Sequence, residues 1–222
     1  MSYPPFAVTV DLVLMTVANG VLSVLMQRRS QEPFAKRLAL PGGFVGIEET
    51  LDDAALRVLA DKVGLGATDS AWLEQLYTFG APQRDPRMRT VSIAYFALLP
   101  FAQLEAAVAS ATDLALCPAA DPGEPPAFDH ADIIAAARER LRGKLDHAPV
   151  AFALLPQMFT LRDLQDVHEA IAGTTFNKPA FRRRMLDTGW IEPTGERERD
   201  TAFRPAELYR VTAKGHYPSR RA

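Results

Sequence analysis

Two stretches of the chain carry enough polar chemistry for a binding role. In residues 81–89, Ala-Pro-Gln-Arg-Asp-Pro-Arg-Met-Arg places Arg84, Arg87 and Arg89 in a loop stiffened by Pro82 and Pro86. Guanidinium groups stay charged at any working pH and match phosphate oxygens with a two-pronged fork. The loop is therefore either an anion-binding device or a plain surface turn. The second stretch, 177–188, opens on Asn177 and carries Lys178, Arg182, Arg183 and Arg184. Between 39 and 65, Gly42-Gly43 breaks an apolar run and offers backbone freedom or close approach to a ligand, with Phe44 as an apolar wall.

Helices and strands must position these groups. Thr50 followed by Leu51, Asp52 and Asp53 reads as an N-cap with an acidic first turn. Leu51, Ala54, Ala55, Leu59 and Val63 recur at helical spacing, and Gly64 closes the helix. Earlier, 6–18 and 21–27 are apolar, β-prone runs on either side of Asn19-Gly20, a two-residue hairpin signal. Arg28 and Arg29 end the second run. Strands are expected over 72–80 and 90–99, flanking the arginine loop, and a helix from Asp129-His130 to about Leu145. Residues 118–128 are proline-rich and read as irregular. A histidine at a helix start, such as His130, is more often structural than catalytic.

Beyond Asp146-His147-Ala148-Pro149 the pattern changes. A short helix over 150–155 is stopped by Pro156, and Thr160 with Asp163 forms a capping-box variant ahead of a second helix ending at Gly173. Asn177 caps a third, running to about Thr188, and two strands near 190–192 and 208–211 enclose a charged loop, 195–204. At about 100° per residue, Phe181 and Met185 mark its buried face, with Arg183 opposite and Arg182 and Arg184 flanking it. Helix, turn, helix and β-hairpin is the layout of a winged helix-turn-helix. A basic third helix then supplies phosphate contacts and base readout in a major groove. The bland alternative is a solvated basic face, and Glu196, Glu198 and Asp200 in the wing repel phosphate.

Residues 43–65 resemble the Nudix box, Gly-x5-Glu-x7-Arg-Glu-U-x-Glu-Glu-x-Gly-U with U bulky aliphatic. Gly43, Glu49, Arg57, Leu59, Gly64 and Leu65 occupy its fixed positions. Val58 and Lys62 stand where the box has glutamates, and Asp61 replaces a third. The resemblance implies carboxylates that hold Mg²⁺ or Mn²⁺ against a diphosphate, and hard ions want several oxygen ligands. Val58 removes one ligand and Lys62 places a cation where a dication would sit, so no metal, cofactor or catalytic residue is expected. The stretches Arg84-Asp85-Pro86-Arg87, Val91-Ser92-Ile93-Ala94-Tyr95, Phe128-Asp129-His130, Phe181-Arg182-Arg183 and 204–210 are similar to the Nudix-related transcriptional regulators of NAD metabolism, the NrtR type.

That resemblance implies an α+β fold: a Nudix-like mixed sheet with helices over 1–147, then a small winged helix-turn-helix domain over 148–222. It implies a homodimer on double-stranded operator DNA and an ADP-ribose-like nucleotide effector. The ligand-binding residues would be Arg28, Arg37, Gly42, Gly43, Phe44, Glu49, Arg84 and Arg87. The DNA-binding residues would be Asn177, Lys178, Arg182, Arg183, Arg184 and Arg204. The expected function is repression of NAD-related or sugar-related genes. The rival is an active Nudix pyrophosphatase of the ADP-ribose class with an accessory C-terminal domain, against which Val58 and Lys62 argue directly.

Composition agrees with two globular modules. The net charge of −2 divides into −4 over 1–145 and +2 over 146–222, a shift in sign that suits a different partner for the C-terminal part. Cys117 is the single cysteine, so no internal disulfide forms and a reducing compartment is expected. The N-terminus lacks the basic region of a signal peptide, and the apolar run 6–18 is too short to span a bilayer. A cytoplasmic protein with no membrane partner is expected.

Overall fold

The computed structural model describes residues 5–66, 72–198 and 205–215. Strands β1 (Ala7–Ala18) and β2 (Val21–Arg28) form the expected hairpin, with Asn19 at φ 50° and Gly20 at φ 75° in the turn. Both central turn residues have φ above zero, which matches the right-handed twist of the flanking strands. Two short strands follow, β3 (Leu38–Ala39) and β4 (Gly42–Phe44). Helix α1 (Leu51–Val63) is capped by Thr50, which accepts from the Asp53 N–H, and closed by left-handed Gly64 at φ 75°.

Strands β5 (Trp72–Phe79) and β6 (Thr90–Leu98) flank the arginine loop as expected. Helix α2 (Phe101–Ser110) and strand β7 (Leu114–Pro118) then occupy a region in which the sequence signalled no element. Helix α3 (His130–Lys144) ends the first module.

A seven-stranded mixed sheet runs β3-β2-β1-β6-β5, with β4 added to β1 and β7 to β2. The β1–β6 pair is parallel and the others are antiparallel. Side chains alternate across a strand. On β1, Val10, Leu12 and Leu14 therefore pack with α1 and α2, while Val13 and Met15 join α3 on the opposite face.

The second module starts with a 3₁₀ turn over Val150–Leu154 and a short strand β8 (Phe159–Thr160). Helix α4 (Leu161–Ala172) carries the complete Thr160/Asp163 capping box. Helix α5 (Lys178–Thr188) is capped by Asn177. Strands β9 (Ile191–Arg197) and β10 (Glu207–Val211) form the wing, with β8 on the far side of β10. One apolar core continues from the sheet through Ile133, Ala137 and Leu141 of α3 to Leu164, Val167 and Ile171 of α4 and Phe181 of α5. No helix among the described residues is long and apolar enough to cross a membrane.

Candidate ligand cleft and nucleic-acid interface

A cleft of about 390 Å³ opens where β1, β2, β4, the arginine loop and the start of α3 meet. That volume lies in the range of small-molecule sites. Of the residues expected to bind ligand, Arg28, Gly42, Gly43, Phe44, Arg84 and Arg87 line it.

The two glycines serve packing. Gly42 pairs with Asp11 and Gly43 with Val10 on β1. A Cβ on Gly42 would lie 2.9 Å from the Val10 carbonyl and collide with the Asp11 carboxylate. A Cβ on Gly43 would lie 3.1 Å from Val58 Cγ2. The missing side chains let β4 fit between β1 and α1, and neither glycine needs a positive φ. Val58, buried with Ala54, Ala55 and Leu59, thus supplies core where the Nudix box has a glutamate.

Arg84 was expected to meet ligand phosphate directly, but its guanidinium is committed elsewhere. It donates to both Asp129 oxygens at 2.9 and 2.7 Å and to Asp11 Oδ2 at 3.3 Å, with its side chain only 4% exposed. Burial alone lowers its pKa, but the Asp129 and Asp11 carboxylates outweigh burial and raise it. Ser92 Oγ donates to the same Asp11 oxygen, so β1, β6, the loop and α3 share one buried polar knot.

His130, at the first position of α3, joins the knot. Its Nδ1 accepts the Leu40 N–H at 2.8 Å, which fixes the neutral tautomer with the proton on Nε2, 3.7 Å from Asp11. Burial pushes its pKa down despite Asp11 and Asp129, so it stays neutral and structural, as its place at a helix start suggested.

The remaining arginines frame the opening. Arg87 is held by Asp85 at 2.7 Å and lies 5.7 Å from the rings of both Phe44 and Phe128. Arg29 stacks on Phe128 at 4.8 Å. Phe128 sits at φ 57°, an uncommon conformation that turns its ring toward the cleft and Phe34. Arg28 pairs with Glu124 at 3.0 Å.

Two expected ligand residues lie elsewhere. Arg37 stands outside the cleft over Phe34. Glu49 bridges Arg57 at 2.6 and 2.9 Å and accepts the Gly46 N–H, a partnership that draws its pKa down to about 2, mainly through Arg57. It ties the loop before α1 to the helix. Arg29, Lys62, Phe128 and Asp11 line the cleft without having been singled out as ligand residues. For Lys62 the signal was present, since a lysine at a metal-ligand position is a change of charge in the place where charge matters.

On the second module, α5 exposes Lys178, Arg182 and Arg183 and buries Phe181 and Met185. Asn177 Oδ1 accepts the Ala180 N–H and so spends its side chain on capping. Arg182 leans toward the wing, 3.4 Å from the Tyr209 hydroxyl. Arg184 folds back over Phe176 and Phe181 and pairs with Asp146 at 3.2 Å. It touches the end of the first module through a solvent-open pair and remains 43% exposed on the helix surface. Arg204 lies outside the described residues. The outward face of the helix thus presents Arg183 and Lys178 for an anionic partner.

A mixed-sheet Nudix domain bearing a winged helix with a basic outer face defines a regulator-type architecture, and comparison with known proteins agrees. Residues 5–138 match the NUDIX domain family and residues 151–211 match the NrtR DNA-binding winged helix domain. The chain is 36% identical over 229 residues to the ADPR responsive transcriptional repressor NtrR of Acinetobacter baylyi, covering 96% of this chain and 85% of that protein. Its fold matches the crystal structure of Shewanella oneidensis NrtR complexed with a 27mer DNA at a TM-score of 0.84 and 37% identity, over 94% of this chain and 95% of that one. The NUDIX domain of the same Shewanella protein, complexed with ADP ribose, matches at a TM-score of 0.54 and 38% identity, over 63% of this chain and 90% of that one. The chain belongs to the NrtR-type family of Nudix-related transcriptional regulators.

Proposed function

We propose that this chain is a transcriptional repressor whose cleft binds an ADP-ribose-like nucleotide and whose winged helix binds operator DNA as a homodimer. We place the division between the modules at 147/148, after α3. The relatives' complexes with DNA and with ADP ribose support both halves of the reading.

The observation that carries it is the course of α3. Asp129 and His130 at its start belong to the polar knot under the cleft. Near its other end, Arg142 Nε donates to the Ile171 carbonyl of α4 at 3.1 Å, and Leu141 packs in the core shared with Leu164 and Ile171. A ligand that alters the knot therefore acts on the element that carries the winged helix. It shifts DNA affinity only by its differential affinity for the DNA-competent and free states.

Hydrolysis is not part of this function. Glu49 spends its oxygens on Arg57 and Gly46, Val58 is buried, and Asp61 lies 3.9 Å from Arg57. These residues do not fit a divalent ion, and among the described residues no group of three His, Cys, Asp or Glu could hold one. Gel shifts with the promoter of the protein's own operon, with and without ADP-ribose, test the reading. Retarded DNA released by ADP-ribose is expected, with ADP-ribose recovered intact. Metal-dependent AMP release at roughly 1 per second or faster, without DNA binding, would favour the pyrophosphatase instead.

A further inference from the structure

This inference rests on the nucleotide-binding reading above and concerns what replaces the metal. The cleft is lined by five cationic side chains, Arg28, Arg29, Lys62, Arg84 and Arg87, and three carboxylates, Asp11, Asp85 and Asp113. Asp129 and Glu124, just outside the lining, pair with Arg84 and Arg28, so five carboxylates stand against the five cations. Most of the cations are spoken for. Arg84 is held by Asp11 and Asp129, Arg87 by Asp85 and Arg28 by Glu124. Arg29 donates to the Pro33 and Gln31 carbonyls and stacks on Phe128, so its plane is fixed by its own loop. Among the described residues the Lys62 side chain has neither a carboxylate within 4.0 Å nor a hydrogen-bond partner.

Its placement follows from the packing of α1. Val58 and Lys62 are four residues apart and share a helix face. Val58 seats that face against Gly43 of β4, where a Cβ would lie 3.1 Å from Val58 Cγ2. One turn further on, Lys62 is exposed on the helix and lines the cleft, within reach of it on a flexible four-carbon stem. Asp61, the next residue back, turns instead to solvent and Arg57, with its side chain 61% exposed.

We propose that the Lys62 ammonium is the built-in counter-ion for the ligand's diphosphate, occupying the role that a divalent ion has in a Nudix hydrolase. An ammonium donates up to three hydrogen bonds and neutralises phosphate charge, but it does not coordinate and activate a water. The same substitution thus retains affinity for a nucleoside diphosphate ester and removes its hydrolysis. It makes ligand binding independent of free Mg²⁺.

Calorimetric titration of the full-length protein with ADP-ribose, in EDTA and in excess Mg²⁺, tests this. The wild type should bind with the same Kd in both. Lys62→Met should weaken binding roughly 10- to 150-fold in both, the loss expected for one charge-assisted hydrogen bond. Its affinity for adenosine, which has no phosphate, should be unchanged. Lys62→Glu should bind poorly in EDTA and regain affinity with Mg²⁺. Wild-type binding that needs Mg²⁺, or a Lys62→Met protein that binds ADP-ribose as tightly as the wild type, would overturn this inference and leave the nucleotide-binding reading standing. No ADP-ribose binding by the wild type in either buffer would overturn both.

Discussion

Arg84 offers the sharpest test of how the structure divides binding from support. Its charge lies between Asp11 and Asp129, whose side chains are 10% and 16% exposed. Arg84→Met keeps a stem of similar length but leaves two carboxylates with little access to water. Removing one member of a buried ion pair costs about 3–5 kcal/mol, because the partner's charge stays uncompensated. For a chain of this size each kcal/mol lowers Tm by roughly 2–4 °C, so a fall of roughly 6–20 °C is expected. Arg210→Met is the control. Arg210 and its partner Glu192 are 62% and 45% exposed, so the change should stay below about 1 kcal/mol. Thermal unfolding followed by circular dichroism, with ADP-ribose titrations on the same samples, measures both quantities. An Arg84→Met protein that melts with the wild type yet has lost ADP-ribose affinity would refute the reasoning and return Arg84 to the ligand.

Two further outcomes follow from the winged helix. His168 is buried in α4 with its Nδ1–H on the Leu164 carbonyl, and burial lowers its pKa from 6.5 to about 4. The unfolded chain therefore takes up a proton that the folded one refuses between pH 6.5 and 4. Stability is full above 6.5 and declines by about 3 kcal/mol as pH falls to 4. Denaturant titrations across that range should show a shallower decline for His168→Leu, and parallel curves would sink the assignment. Arg183→Ala should weaken operator binding by about 1–3 kcal/mol if it reads a base, and uniformly across sequences with a smaller salt slope if it touches phosphate. Equal gel shifts by wild type and an Arg182/Arg183 double mutant would remove α5 from the DNA interface.

What could be read from the sequence was local. The Asn19-Gly20 turn, the Thr160/Asp163 capping box and the Phe181/Met185 face each depend on neighbours a few residues apart, and the structure has each of them. What escaped depends on distant partners. Arg84 meets Asp129 from 45 residues away and Asp11 from 73, so a polar loop arginine looked free. The helical angle placed Arg184 beside Arg183, where it is exposed, but could not show its contacts with Phe176 and with Asp146, 38 residues back. Gly42 and Gly43 carried the right signal of close approach, but the approaching groups are Asp11 and Val58. Helix α2 lacked a start signal because Pro100, with no side-chain cap, precedes it and few of its residues are buried.

The central claim is that one molecule couples nucleotide and operator binding. Calorimetry with ADP-ribose on the free protein and on its complex with an operator duplex measures that coupling directly. The account predicts weaker ADP-ribose binding to the complex, by a factor of roughly 5–150. By linkage, ADP-ribose must weaken operator affinity by the same factor. Equal ADP-ribose affinities in the two titrations would contradict the account.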